Sequence, residues 1–274
     1  MIMIDFENDF KYYLFNQKRK EGEGMLTTER HQLILNLLKE QQSIKIQELV
    51  ELTSASESTI RRDLTELEEL QKLERVFGGA RRIDPNMPEP SLSDKAAKHL
   101  KEKRLIARYA ASLVKTGDAI FLDAGTTTAQ MIPFLKGKDV TVVTNGLSHV
   151  EALADHGITS YLTGGFIKSR TRALVGPQAT QSLENYRFDK SFLGVNGIHL
   201  VNGFTTPDPE EAAVKRRAGE LSRSCYVLAD RSKYDNVSFA HVFDLSRSAL
   251  IIDSLPEDAV ETIERQTTIK VVAQ

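Results

Sequence analysis

Ser56-Glu57-Ser58-Thr59-Ile60-Arg61-Arg62-Asp63-Leu64 sets the architecture of the N-terminal third of this chain. Read as a helix, it places Ile60, Leu64 and Leu67 on one stripe at i, i+4, i+7 spacing. Ser58, Arg61, Arg62 and Thr65 then occupy the opposite face, which is hydroxyl and guanidinium with little else. Guanidinium forks match guanine edges and phosphate oxygens, and small hydroxyls admit close approach to a duplex backbone. Two arginines on a helix can equally be a solvated face, so the flanking pattern decides between the readings. Upstream, Arg30 to Lys39 carries Leu33, Ile34, Leu37 and Leu38 at helical spacing. Gln47 to Leu52 forms a short second helix, and Thr53-Ser54-Ala55 breaks it. Ser56 is placed to cap the third helix, its hydroxyl accepting a free N–H of the first turn. This order is a helix-turn-helix, whose last helix enters the major groove by its N-terminal part. Leu73 to Val76 and Ala80 to Ile83 flank Gly78-Gly79 and predict a hairpin, the wing. The expected DNA contacts are Ser56, Ser58, Thr59, Arg61, Arg62 and Thr65 on the helix, with Arg75, Arg81 and Arg82 laid along the phosphates by the wing.

Working outward, 274 residues suffice for one small and one medium domain. The formal charge of −2 means that affinity for nucleic acid must come from a local patch, because Glu66, Glu68, Glu69 and Glu74 offset the arginines of the N-terminal region. The one cysteine, Cys225, sits in an apolar run and reads as a buried core thiol, which fits a reducing cytoplasm and excludes a disulfide framework. No apolar run approaches the roughly 18 residues of a membrane span, so no membrane partner is expected. Walker loops, paired histidines, Cys-x-x-Cys and Gly-x-Ser-x-Gly motifs are missing, and with them any metal or cofactor site is unexpected. In residues 1–24, Asp5, Glu7 and Asp9 interrupt the apolar residues, unlike a signal peptide. Lys20 to Gly24 is encodable only by purine-rich codons and directly precedes Met25, the pattern of a translated ribosome-binding site. The cellular chain is therefore expected to start at Met25, with 1–24 an extension.

The winged helix-turn-helix, an α+β unit, is expected over 25–83, and a proline-rich linker over 84–92. From 93 to 274 the chain predicts an α/β domain. Ser93 to Val114 is helical, with Leu100, Ile106, Ala107, Ala110, Ala111 and Val114 on its buried side. Apolar runs at 119–123, 140–144, 159–163, 191–195, 226–229, 249–252 and 269–272 alternate with helices, which indicates a parallel sheet covered on both faces. Ligands in such sheets sit beyond the carboxyl ends of the strands. Asp123-Ala124-Gly125-Thr126-Thr127-Thr128 brings a glycine and three hydroxyls into a helix N-terminus, expected to run to about Leu135, where free N–H groups favour a phosphate. The alternative is that Thr126 or Thr127 simply caps its own helix. Thr144-Asn145, Gly164-Gly165 and Asn196-Gly197 recur at the same relative place, and Thr205, Thr206, Glu211, Lys215 and Lys233 add hydroxyl, acidic and basic groups. Carboxylates suit sugar hydroxyls and lysines suit phosphate. Glu211 and Lys215 also read as an ordinary i, i+4 helix pair.

The pattern Arg30, Ile34, Leu38, Ser56, Thr59-Ile60-Arg61-Arg62-Asp63-Leu64 resembles the N-terminal signature of the DeoR-type bacterial transcriptional regulators, and the likeness runs from about Met25 nearly to the end. Gln71 stands where members have glycine, and Phe77 where the wing turn begins with histidine. The resemblance implies a C-terminal sensor similar in fold to ribose-phosphate isomerases that binds a phosphorylated sugar. Phe192 to Ile198 and Gly203 to Lys215 look like family motifs. Within the family the chain is similar to repressors of fructose-utilisation operons, which implies fructose 1-phosphate as effector, operator DNA as partner, and a homo-oligomer, dimer or tetramer. The rival reading is a sugar-phosphate isomerase fused to a DNA-binding module. That enzyme needs a carboxylate base and a group polarising the carbonyl. Where the isomerases carry aspartates this chain reads Gly194-Val195-Asn196-Gly197, and Glu211 remains without company, so no catalytic residue is expected. Activation in place of repression is left open by the residues; family habit favours repression.

Overall fold

The computed structural model describes residues 25–70, 72–76, 78–82 and 92–272. The expectations for residues 1–24, for Gln71, Phe77 and Ile83, and for the proline-rich 84–90 stretch lie outside these. Backbone contacts divide the chain into two units, Met1–Met87 and Pro88–Gln274.

In the first unit, three helices follow the apolar periodicity: α1 (Thr27–Glu40), α2 (Ile46–Thr53) and α3 (Glu57–Glu69). Ile60, Leu64 and Leu67 of α3 are buried against Ile34 and Leu38 of α1 and Leu49 of α2. Ser54, at φ 56, ends α2 in the left-handed region. Ser56 then caps α3, its Oγ accepting the Thr59 N–H at 3.2 Å. The wing strands β2 (Glu74–Val76) and β3 (Gly79–Arg81) form as expected. A third strand, β1 (Ser43–Lys45), joins them to give the order β1-β3-β2. Three residues are too few to show alternation in a sequence, yet Ile44 is buried between two exposed neighbours. Gly79 is needed at this pairing: a Cβ there would lie 2.1 Å from the Ile44 carbonyl oxygen.

The second unit starts with α4 (Leu92–Ala97) and α5 (Leu100–Ser112), then β4 (Ala119–Leu122), α6 (Thr126–Ala129), α7 (Ile132–Leu135), β5 (Thr141–Thr144), α8 (Val150–Asp155), β6 (Thr159–Leu162), β7 (Phe166–Ile167) and β8 (Leu174–Val175). It continues with α9 (Pro177–Leu183), β9 (Phe188–Gly194), β10 (Gly197–His199), β11 (Gly203–Thr206), α10 (Pro209–Glu220), β12 (Ser222–Ala229), β13 (Ala240–Phe243), β14 (Ala249–Ile252), α11 (Glu257–Glu264) and β15 (Ile269–Val271). Seven strands make one parallel sheet, ordered β15-β14-β12-β9-β4-β5-β6.

Consecutive residues in these strands feed two different cores, which is why the runs are apolar throughout. Ile120, Leu122, Val142, Phe192, Leu228 and Ile251 pack with Ile106, Ala107 and Ala110 of α5 on one face. Phe121, Val143, Leu193, Val227, Leu250 and Ile252 pack with Leu183, Val214 and Ala218 of α9 and α10 on the other. The edge strand β6 is the exception, with all four residues exposed.

Three expectations need correction. The helix expected from Ser93 breaks after Ala97, with His99 at φ 54, and Leu100 is exposed where burial was expected. The helix expected to reach Leu135 is two single turns, the second with Pro133 in its first turn. Thr205 and Thr206 belong to a three-stranded antiparallel sheet, β10-β11-β13, that the apolar pattern did not reveal. The chain runs from β4 outward through β5 and β6, then returns to β9 on the other side of β4. The topological switch point, where α/β sheets form a crevice, therefore lies at the carboxyl ends of β4 and β9, at Asp123 and Gly194.

Candidate DNA-reading face and ligand crevice

On α3, Ser58, Arg61 and Arg62 are exposed and Ser56 and Thr59 stand at the first turn, so the expected reading face is physically available. The Ser56 hydroxyl also lies 2.8 Å from those of Ser58 and Thr59. Arg61 is bound to Glu57 one turn earlier, Nε to Oε1 at 3.0 Å. An exposed i, i+4 pair contributes only about 0–1 kcal/mol, so a phosphate or base edge displaces it cheaply. Among the described residues no hydrogen bond or ion pair engages the Arg62 side chain, and Arg82 on the wing is likewise exposed. Two arginines expected along the phosphates have internal partners instead. Arg75 donates from Nη1 to the Thr65 hydroxyl at 2.8 Å, which ties wing to helix. Arg81 donates to Glu74 Oε2 at 2.8 Å across the hairpin.

Beneath this face lies a pair whose role the sequence did not reveal. Arg30 and Asp63 are both buried, and the guanidinium holds the carboxylate bidentately, Nε to Oδ2 at 2.7 Å and Nη2 to Oδ1 at 2.9 Å. The hydrogen bond to Asp63 holds the Arg30 guanidinium above its ordinary value, against desolvation. Arg30 also donates to the Met25 carbonyl at 2.6 Å. The first helix is thereby stapled to the arginine-bearing one by a geometry that lysine cannot reproduce.

In the second unit the switch-point crevice is built from charges. Asp123, at the end of β4, accepts the Gly194 N–H at 3.0 Å and Lys215 Nζ at 2.5 Å. Lys215 rises from α10, one turn after Glu211; all three side chains are buried. Glu211 accepts the Thr171 hydroxyl at 2.8 Å, and Lys168 Nζ lies 3.8 Å from Glu211 Oε1 while also donating to Asp208. Asp208 caps α10 by accepting the N–H groups of Glu210 and Glu211. Burial pushes the Asp208 carboxyl up, but the Lys168 hydrogen bond, those N–H groups and the ammonium charge together hold it below its usual value.

Many of the expected lining residues are occupied by the fold itself. Thr128 caps α6, its hydroxyl donating to the Asp123 and Gly125 carbonyls and accepting the Gly125 N–H. The alternative in which Thr126 or Thr127 caps its own helix is not met, since the capping hydroxyl is that of Thr128. Thr144 donates to the Leu122 carbonyl, and Asn145 bridges the Ala124 N–H and the Leu174 carbonyl. Thr206 donates to Asn196 Oδ1, and Thr205 accepts the Ser238 N–H. Gly197 is a packing glycine, since a Cβ would sit 2.4 Å from both the Asn236 carbonyl and the Thr205 hydroxyl. Gly165, at φ +120, lies against Val175, where a Cβ would approach its carbonyl to 2.4 Å, whereas Gly164 faces open space. These residues frame the crevice. Among the described residues no hydrogen bond engages the hydroxyls of Thr126 and Thr127. Lys233 stands in another cluster, 3.7 Å from the buried Asp230 and donating to Ser232. Burial raises the Asp230 carboxyl, but the charge of Lys233, with Ser232, His99 and Lys103, keeps it below the usual range.

The sequence reading passed over Lys168 and Thr171, and placed Asp208 only within an acidic stretch, without a role of its own. Lys168-Ser169-Arg170-Thr171-Arg172 holds three cations and two hydroxyls in five residues, a signal in plain sight. It was eclipsed because it lies between two-residue strands that carry no apolar pattern of their own. Also passed over was His149, wholly buried between the Thr144 hydroxyl (3.0 Å) and the Gly125 carbonyl (3.3 Å); burial holds its imidazole below the ordinary value.

A winged helix-turn-helix joined to an α/β unit with a polar switch-point crevice is the build of a ligand-responsive DNA-binding regulator. Comparison with known proteins gives the family. The DeoR-like helix-turn-helix domain matches residues 30–86 and the DeoR C terminal sensor domain residues 98–254. The chain is 48% identical over 249 residues to the HTH-type transcriptional regulator FruR of Bacillus subtilis (strain 168), spanning 90% of this chain and 99% of that protein. It is 35% identical over 237 residues to the HTH-type transcriptional repressor GlcR of the same strain, spanning 86% and 92%. The chain belongs to the DeoR family of transcriptional regulators. Among solved structures, ribose 5 phosphate isomerase A from Neisseria gonorrhoeae is a distant likeness at 19% identity and TM-score 0.36, over 50% of this chain and 53% of that one. No helix among the described residues is long and apolar enough to cross a membrane.

Proposed function

We propose that this protein represses a sugar-utilisation operon, that of fructose, and that a phosphorylated sugar such as fructose 1-phosphate releases it from its operator. The observation that carries the reading is the switch-point crevice. Two unengaged hydroxyls, Thr126 and Thr127, stand at its helix turn beside a buried network of carboxylates and lysines. Carboxylates accept from sugar hydroxyls. The phosphate needs more than the single-turn α6, whose dipole is small, and Lys168, Arg170 and Arg172 at the tip of the β7–β8 hairpin bring cations to it. The 48% identity to FruR supports the fructose assignment. Oligomeric α3 helices grip repeated half-sites, and the bound sugar favours an arrangement that no longer matches their spacing. A coupling of about 1–3 kcal/mol lowers operator affinity roughly 5–150-fold.

Fluorescence anisotropy of labelled operator DNA tests this, titrated with fructose 1-phosphate, fructose 6-phosphate and fructose. Only a phosphorylated sugar should weaken binding in the wild type. Thr127→Val should bind operator normally and fail to respond. If no sugar phosphate loosens the complex, the reading is wrong; if the variant responds like wild type, Thr127 leaves the site.

A further inference from the structure

Of the elements that border the crevice, α4 (Leu92–Ala97) is the one the chain reaches first on its way from the DNA-reading unit, and none of its residues is buried. Hydrogen bonds hold it at both ends. At its start the Leu92 N–H donates to the Arg170 carbonyl at 3.2 Å, on the hairpin that carries Lys168 and Arg172. It also packs against α6, the turn with the Thr126 and Thr127 hydroxyls. At its end the buried Lys103 donates from Nζ to the Lys95 carbonyl and, at 2.7 Å, to the Lys98 carbonyl, which satisfies oxygens that a helix terminus leaves without partners. The charge of the same ammonium supports the buried Asp230 beyond β12. A helix of six residues is far too short to persist by itself, so α4 lasts only while these seats hold it. Elements with few buried contacts open at low free energy, and a ligand that favours one state of such an element shifts its population.

We propose that α4 is a strap on the crevice, latched by Lys103, which the effector seats and operator DNA unseats, so that its state carries the signal between the two units. A ligand that bridges the α6 hydroxyls and the hairpin cations fixes the two supports of α4 relative to each other, and that favours the seated strap. Seated, its six helical residues span about 9 Å; unseated and extended they span about 20 Å. Release therefore lengthens the tether of each DNA-reading unit by about 10 Å, roughly three base-pair steps of a duplex. Simultaneous grip on two half-sites depends on whether the tether spans them, so the seated strap costs operator affinity. The direction assigned to the sugar rests on the function proposed above; the link between strap and DNA does not.

Hydrogen exchange of the full chain, read by mass spectrometry at the α4 amides, tests this with operator DNA and with fructose 1-phosphate in separate arms. Operator DNA should speed exchange there about fivefold or more, and fructose 1-phosphate should slow it by a similar factor, since coupling is reciprocal. Ala96→Pro breaks α4 at an exposed position and leaves both cores of the second unit intact. Its α4 amides should exchange fast in every state. It should bind operator as tightly as wild type, or up to about tenfold more tightly, and lose most of the sugar response in the anisotropy titration. Lys103→Met, which removes the latch and keeps the helix, should shift both readouts the same way by a smaller factor. Exchange in α4 that operator DNA leaves unchanged or slows would overturn the proposal, whatever the sugar does. So would fructose 1-phosphate that binds by calorimetry without slowing that exchange, or an Ala96→Pro chain that the sugar releases from operator as it does wild type. If fructose 1-phosphate does not bind while operator DNA still speeds exchange, the strap stands and the sugar assignment falls.

Discussion

On the first unit the groups expected to meet DNA stand in water, Arg61 and Arg62 on the outer face of α3, while the buried Arg30–Asp63 pair fixes the helix from behind. In the second unit the order is reversed: Asp123, Glu211 and Lys215 lie buried at the crevice itself. The difference follows from the partner. A polyanion is attracted over a Debye length by hydrated surface cations, and little pre-arrangement is needed. A small-molecule effector must be recognised at contact, by groups held in place before it arrives, and burial with internal pairing supplies that.

The sharpest way to break the comparison is Asp63→Ala. It strands a buried guanidinium and should remove about 3–5 kcal/mol, enough to unfold most of a unit this small. Chemical denaturation followed by circular dichroism should show the N-terminal transition collapsing with the C-terminal one unmoved. A loss below 1 kcal/mol would mean that Arg30 rehydrates and that the staple is ornamental. Next comes Lys215→Met, which among the described residues leaves the Asp123 carboxylate the Gly194 N–H. A cost of about 3 kcal/mol is expected, confined this time to the C-terminal transition, with operator binding retained. Third, Arg62→Ala should weaken operator binding by about 1–3 kcal/mol without touching either transition, and more for the operator than for random DNA if the contact is to a base edge. Uniform weakening would make it a phosphate contact.

The smallest expected effect is a pH dependence. Burial pushes the Lys103 ammonium from its ordinary 10.5 down to about 8, although its Nζ donates to the Lys95 and Lys98 carbonyls and feels Asp230. Between those two values the unfolded chain binds the proton and the folded one does not, so stability rises with pH across that window. Below about 8 both states are charged and the penalty is constant. The wild-type gain from pH 8 to 10 should be on the order of 1–2 kcal/mol, and absent in Lys103→Met. A parallel pH profile in the variant would assign the slope to other groups.

The seven parallel strands could be read from the sequence because residues such as Ile120, Phe121 and Leu122 serve two cores at once and leave an unbroken apolar run. The α3 stripe and its Ser56 cap were equally plain, since both are local. Ser43–Lys45 was not, because three residues carry too little pattern, and the β10-β11-β13 sheet was not, because Gly203, Thr205 and Thr206 leave β11 without an apolar run. In the crevice the residue types were legible but their employment was not. Whether the Thr144 hydroxyl faces a ligand or the Leu122 carbonyl is decided 22 residues away, and the Lys215–Asp123 pair spans 92. Local spacing offers Glu211 as a neighbour of Lys215, whereas the hydrogen bond to Asp123 comes from tertiary structure.

His149 carries one more implication. Its ring joins the end of β5 to the turn after β4, and burial disfavours a second proton there. A ring lodged between those two segments acts as a spacer whose size sets how closely they approach. The width of the hollow at the β4–β5 seam is therefore tied to the size of a single side chain.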